Sequence, residues 1–348
     1  MNIHSQINLQ APYLIFIGDI DTAIYAKTGI GIIQWKRDLV AGQLRFPSCC
    51  VDLGVPDMSI QEAIKSGAKS FVIGVAPVGG VIPDTWWKTI LEAAEAGLDI
   101  VCGLHIKLSE FPHIVNAAKK SGARLIDVRN PPNNIPVGNG NKRSGKRILM
   151  VGTDCAVGKK YSALALHQSM TNAGFNSTFR ATGQTGIMLA GKGIPIDAVI
   201  ADFISGAAEA ISPANEDNHW DIIEGQGSLF HPGYAGVSLG LLHGSQPDAL
   251  VICHDAIRSH ISGWPEYTLP TVNECINRNI IEGQLTNPAV QCVGICVNTS
   301  GLSDIERGAY LNALSNETEL PCVDPIIDSC DEIARYIKEL FCTKSFRI

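Results

Sequence analysis

The densest chemistry in this sequence of 348 residues lies between Arg147 and Asn172. Arg147-Ile-Leu-Met-Val151 reads as a buried strand, Gly152-Thr-Asp-Cys-Ala-Val-Gly158-Lys159 follows without a gap, and a helical pattern runs from Lys160 to about Asn172. Gly-x-x-x-x-Gly-Lys between a strand and a helix is the spacing of a phosphate-binding P-loop. Backbone N–H groups and the helix N-terminus converge there on an anion, and the lysine adds a point charge. Gly152, Thr153, Asp154, Ala156, Val157, Gly158, Lys159 and Lys160 are therefore the candidate cofactor-binding residues. One position departs from the pattern. A loop that serves Mg-ATP continues with Ser or Thr, whose hydroxyl holds the cation. Here that place is Lys160, and Tyr161 and Ser162 are displaced from it. The loop suits a ligand that carries phosphates without needing a metal, and no metal site is expected.

Other polar groups follow apolar runs. Trp220-Asp-Ile-Ile-Glu224 reads as a strand ending in an acid before Gly225-Gln-Gly227, and Ala198-Val-Ile-Ala-Asp202 ends in the same way. An acid at such a strand end manages a proton or holds a cation in P-loop proteins, and otherwise caps a helix or forms a surface ion pair. Glu224 and Asp202 are the candidate bases. Arg180-Ala-Thr-Gly-Gln-Thr-Gly186 is a polar, glycine-rich loop in which Arg180, Gln184 and Thr185 suit a substrate carboxylate, a plain loop being the alternative. His231, before Pro232-Gly233, is a further substrate-binding candidate or a hydrogen-bonded structural histidine. Asn298, at the end of the run Val290 to Val297, would read a purine edge or simply form a turn.

These residues need a scaffold, and the composition supplies one. Hydrophobic residues make up 45% and charged residues 18% of the chain, enough apolar material for covered sheets. The length suits two domains. A net charge of -7 gives no footprint for nucleic acid, and the most basic stretch, Lys142 to Arg147, reads as a solvated linker. No apolar run is long enough to cross a bilayer and no signal peptide is evident, so a cytoplasmic protein is expected. The eleven cysteines read as buried, reduced thiols, with adjacent Cys49 and Cys50 as the pair to watch.

Before the P-loop, Tyr13 to Ile17, Ser70 to Val75, Asp99 to Cys102 and Arg124 to Val128 are strand runs. They alternate with helical patterns at Ser59 to Ser66, Asp84 to Ala96 and Phe111 to Lys120. Ser59 and Glu62 have the spacing of a reciprocal helix cap. Continuous apolar strands alternating with amphipathic helices predict a parallel sheet covered on both faces. Gly29-Ile-Gly31 lacks the third glycine and the preceding strand of a dinucleotide fingerprint and reads as a turn. Gly79-Gly80, at a strand's carboxyl end, is a modest cleft candidate. Asn130 to Gly145 is rich in Pro, Gly and Asn and marks a boundary. The expected fold is α/β, with an N-terminal Rossmann-like domain over 1–135 and a C-terminal P-loop domain with a mostly parallel sheet over 146–348.

Three blocks carry a resemblance: GTDCAVGKKYSALAL, RATGQTGIMLAGKGIPIDAVIADFISGAAEA and WDIIEGQGSLFHPGYAGVSLGLLHGSQPDAL. They resemble a bacterial P-loop family, formerly of unknown function, whose characterised member is a D-glutamate N-acetyltransferase. The likeness extends into the first domain at Leu14 to Asp19, Gly54 to Asp57 and Gly79 to Asp84. It implies acetyl transfer from acetyl-CoA to the amine of D-glutamate, with Glu224 or Asp202 as base, oxyanion donors from the loop or Gln184, and Arg180 as partner of the substrate carboxylates. The second domain alone is also similar to dethiobiotin synthetase, an ATP-dependent ligase that follows Gly-Lys with Thr. Two other readings therefore stand beside the transferase: such a ligase, and a nucleotide-binding regulatory module without turnover. The expected partners are a small amino acid and, for an α/β enzyme of this size, a second copy of the chain.

Overall fold

The computed structural model describes residues 5–76 and 80–342. It divides into two compact units. One comprises Ser5–Pro131 together with Gln184–Ala198; the other comprises Pro132–Gly183 and the chain from Val199.

The first unit is built on β1 (Tyr13–Gly18), α1 (Lys27–Lys36), β2 (Val40–Arg45), α2 (Ile60–Lys65), β3 (Ser70–Ile73), α3 (Trp87–Glu95), β4 (Asp99–Cys102), α4 (Pro112–Ser121) and β5 (Leu125–Asp127). The strands form one parallel sheet in the order β2-β1-β3-β4-β5. Every side chain of β1, β3 and β4 is buried, as a sheet covered on both faces requires. Phe16 anchors this core, its ring 5.1 Å from Phe71 and 5.3 Å from Trp86. The Ser59–Glu62 cap forms as the spacing predicts, each side chain bonded to the other residue's backbone. Gly29-Ile-Gly31 is not a turn, because it lies inside α1. A Cβ on Gly29 would stand 3.0 Å from Ile15 and 3.1 Å from Leu53, so glycine serves here to bring the helix close to the sheet. Of the cleft candidates, Gly79 lies outside the described residues, and Gly80 lies against His105, to which an added Cβ would come within 3.0 Å.

The segment Gln184–Ala198 joins this unit although it follows the P-loop in sequence. It carries α6 (Gln184–Ala190), and its Lys192–Gly193 backbone pairs antiparallel with Ser5–Gln6. The expected glycine-rich loop therefore becomes helical at Gln184.

The second unit runs β6 (Lys146–Gly152), α5 (Lys159–Asn172), β7 (Asn176–Arg180), α7 (Ile204–Ile211), β8 (His219–Ile223), α8 (Ala235–Ser245) and β9 (Ala249–Asp255). A hairpin of β10 (His260–Ile261) and β11 (Trp264–Thr268) follows, then α9 (Val272–Gly283), β12 (Gln291–Asn298), α10 (Asp304–Thr318), β13 (Cys322–Val323) and α11 (Asp331–Cys342). Six parallel strands lie in the order β13-β12-β9-β6-β8-β7. The register sets Ile148 beside Ile222 on one side and Ala249 on the other. The loop after β6, Glu224 after β8, Asp255 on β9 and Asn298 on β12 thus share the carboxyl edge, where open parallel sheets collect ligands. Among the described residues no helix is long and apolar enough to cross a membrane.

Two readings of the sequence need correction here. Lys142 to Arg147 is not a solvated linker: Arg147 is fully buried, and Arg143 donates to the carbonyls of Ser212 and Gly244 at 2.9 and 2.8 Å. Those carbonyls lie at the C-terminal ends of α7 and α8, which have no intrahelical partner for their last oxygens and attract a guanidinium. Glu209 holds the chain just before this segment through the N–H groups of Asn139 and Gly140. Ala198 to Asp202 is not a strand either. It links two 3-10 turns, Ile196–Ala198 and Ala201–Phe203, and leaves Ile200 70% exposed.

Candidate functional site

The P-loop takes its shape from its backbone. Ala156 and Gly158 adopt left-handed φ values of 52° and 98°, and Gly158 is the N-cap of α5. This turns successive N–H groups inward toward the helix N-terminus, a nest for an anion. Lys159 is buried and arches back so that Nζ donates to the carbonyl of Asp154 at 2.7 Å. Burial pulls its ammonium below the usual lysine range, opposed by the nearby Cys155 and Cys253 thiols and by Asp154. The Lys160 ammonium lies 4.1 Å over the ring of Tyr161. Lys160 stands at the position where a loop that serves Mg-ATP has Ser or Thr.

Asp154 braces the loop. Its Oδ1 accepts the N–H of Cys155 at 2.6 Å, and its Oδ2 accepts Nη1 of Arg258 and the N–H of Ser262, each at 2.8 Å. Arg258 also donates to the carbonyl of Cys155 at 2.7 Å and that of Ala156 at 3.3 Å. Among the described residues one trio has metal-ligand spacing: Asp154, Cys155 and His231, with one ligand atom from each inside 4.8 Å. A cation there would share its carboxylate with the guanidinium of Arg258, which opposes it electrostatically.

Glu224 is 3% exposed at the end of β8. Its Oε2 accepts the N–H groups of Thr182 and Gly183 at 2.9 and 3.0 Å, while its backbone carbonyl accepts the hydroxyl of Thr182. Gln226 donates to that same hydroxyl at 3.1 Å. A Cβ on Gly225 would fall 1.7 Å from the carbonyl of Met150 and 2.9 Å from the stem of Lys159, so only glycine lets the acid follow β8 this close to the loop.

The remaining candidates divide. Arg180 is tied to buried Asp221, Nε to Oδ1 at 2.7 Å, an oxygen that also lies 3.2 Å from His219. Its Nε is thereby committed to the neighbouring strand. Gln184 and Thr185 belong to the first unit, where both reach Thr28 and where Gln184 accepts Nε of Arg129 at 2.5 Å. His231 is 1% exposed and accepts the N–H of Gly233 at Nδ1. Burial pulls its imidazole below the ordinary range. Asn298 donates to Asp255 at 3.0 Å and accepts from Ser300, which is the turn-forming role. Asp202 is exposed in its 3-10 turn and, among the described residues, makes no hydrogen bond or ion pair with the loop or Glu224.

The sequence reasoning missed the end of β9. His254 shares hydrogen bonds with Thr153 of the P-loop at Nδ1 (3.0 Å) and with the Tyr310 hydroxyl at Nε2 (2.8 Å). Burial pushes its pKa down to about 4, against a smaller opposing effect of Asp255. The signal was present, for Leu250 to Cys253 is an apolar run that ends in His254-Asp255. This network sets a pH dependence. As pH falls below about 6.5 the unfolded imidazole takes up a proton that the folded one refuses until about 4, so stability falls over that window by roughly 3 kcal/mol. Urea unfolding near both limits measures it, and in His254→Gln the difference between the two pH values should shrink by that amount.

Fold and site together define a two-part α/β protein, a Rossmann-like unit with a P-loop unit. The chain belongs to the DUF1611 family. Its residues 136–334 match the domain of unknown function described as the DUF1611_C P-loop domain, and residues 47–131 match the DUF1611_N Rossmann-like domain. Two relatives are named D-glutamate N-acetyltransferase. The one from Pseudoalteromonas sp is 49% identical, covering 94% of this chain and 98% of its own. The one from Tritonibacter scottomollicae is 47% identical, over 91% and 95%. The crystal structure of a DUF1611 family protein from Anabaena variabilis superposes with a TM-score of 0.87 at 32% identity, covering 95% of this chain and all of that one.

Proposed function

We propose that this chain transfers the acetyl group of acetyl-CoA to the amine of D-glutamate. The observation that carries the reading is identity of 49% and 47%, over more than nine-tenths of both chains, to relatives named for that activity. The loop's chemistry fits the donor. A nest of N–H groups with a buried lysine suits the phosphates of CoA, and Lys160 in the cation's place matters little to a ligand that needs no metal. When bound, the thioester supplies an activated carbonyl. The protein's part is to hold the donor by its phosphates, to accept the proton that the attacking amine sheds, and to steady charge at the carbonyl oxygen. Lys159 and the N–H groups from Ala156 to Gly158 do the first. Glu224, held by Thr182 and Gly183, does the second. Arg180 remains the candidate carboxylate partner, its charge reduced by the ion pair of its Nε with Asp221.

Free-thiol release from acetyl-CoA across a panel of D- and L-amino acids tests the reading, with turnover expected for D-glutamate. Absence of thiol release with any amino acid would remove it. A second result follows from Lys160: EDTA should leave the rate of transfer unchanged, whereas loss of activity restored by Mg²⁺ would place a cation in the reaction.

A further inference from the structure

The outer wall of the P-loop carries a feature that phosphate binding alone does not use. Asp154 accepts the N–H of Ser262 at 2.8 Å and a guanidinium N–H of Arg258 at 2.8 Å, which ties the β10–β11 hairpin to the loop. From that hairpin Trp264 meets the His231 ring edge to face, with centroids 4.5 Å apart and planes at 75°. Tyr234 lies against His231 at 4.5 Å and 34°, and its own ring is 6.2 Å from that of Trp264. A ring nitrogen of His231 is within 4.8 Å of ligand atoms of both Asp154 and Cys155, so the three-ring cluster starts at the loop itself. Exposure then rises outward: His231 is 1% exposed, Trp264 is half-buried and Tyr234 is 50% exposed. An ordered aromatic face beside an anion nest is the pairing that recognises a nucleotide, phosphate by N–H groups and base by stacking. Asn298, the expected reader of a purine, is bonded to Asp255 and Ser300.

We propose that Trp264 and Tyr234 form the subsite for the adenine ring of the acetyl donor, with His231 as the buried support that fixes both rings. The proposal rests on acetyl-CoA being the donor. The pantetheine arm has no aromatic ring, so only the nucleotide end of the molecule is held this way. Stacking reads a flat face and not a hydrogen-bonding edge, so the subsite distinguishes a donor with a base from one without it, and distinguishes little between purines.

Calorimetry with two probes tests this on the full chain. Adenosine 3′,5′-bisphosphate carries the base and phosphates; S-acetyl-4′-phosphopantetheine carries the thioester arm and a phosphate without the base. Trp264→Ala and Tyr234→Leu should each weaken the bisphosphate by about tenfold and leave the pantetheine probe unchanged. Trp264→Phe, which keeps a ring on the hairpin, should recover most of the loss. Equal weakening of both probes would mean that the substitutions merely disturb the loop and would overturn the subsite, as would unchanged bisphosphate affinity in both variants. Acetyl-CoA titrated into wild type separates the two levels of failure. If it binds while the variants behave like wild type, the subsite alone is wrong; if it does not bind, the donor reading falls with it.

Discussion

Glu224→Gln should lower kcat by roughly 10²–10⁴ while acetyl-CoA still binds with near-normal affinity. The amide keeps an oxygen where Thr182 and Gly183 donate at 2.9 and 3.0 Å, so the buried fit after β8 survives. What disappears is a group able to take the proton of the amine. Removing the side chain altogether would be a poorer test, because two buried N–H groups would lose their acceptor and the loop would suffer with the chemistry. Single-turnover rates with saturating donor isolate the step. Asp202→Asn is the natural control: that carboxylate is exposed in a 3-10 turn, and its loss should leave turnover close to wild type. Near-normal turnover in Glu224→Gln would move the base elsewhere.

Lys159→Ala should weaken acetyl-CoA binding by about tenfold to a hundredfold. A hydrogen bond from a charged donor is worth about 1.5–3 kcal/mol, and the buried ammonium is the loop's principal cation toward a phosphate. Unfolding measurements must accompany the titration, since Nζ also holds the carbonyl of Asp154 at 2.7 Å. Loss of stability without loss of affinity would assign Lys159 to bracing the loop. Loss of affinity in a variant that unfolds like wild type would assign it to the ligand.

The parts legible in the sequence were those whose signal is local. The loop is a contiguous strand–glycine–helix pattern, the Ser59–Glu62 cap is a spacing of three, and the apolar runs of β1 and of Ile100 to Cys102 in β4 are visible as such. The misreadings came from partners distant along the chain. The ion pair of Arg180 with Asp221, 41 positions away, is invisible until β7 and β8 pair. Arg143 and Arg147 looked solvated because the carbonyls that bind them terminate helices that begin about 60 and 90 residues later. Gly29 suggested a turn because glycine is a turn former in isolation, whereas here it lets α1 approach Ile15. Gln184 read as part of a loop after β7, and only the tertiary arrangement places it in the first unit, against Thr28 and Arg129. The brace from Arg258 to Asp154 spans 104 positions and carries no motif.

The central claim is that this P-loop serves a thioester donor and not Mg-ATP, and one reaction mixture addresses it. Acetyl-CoA, ATP, Mg²⁺ and D-glutamate are supplied together, and free CoA thiol, N-acetyl-D-glutamate and ADP are followed over the same interval. The account predicts thiol and N-acetyl-D-glutamate in equal amounts, with no ADP above the protein-free control. ADP formed in step with consumption of the amine, without thiol release, would contradict it and make the loop that of an ATP-dependent ligase.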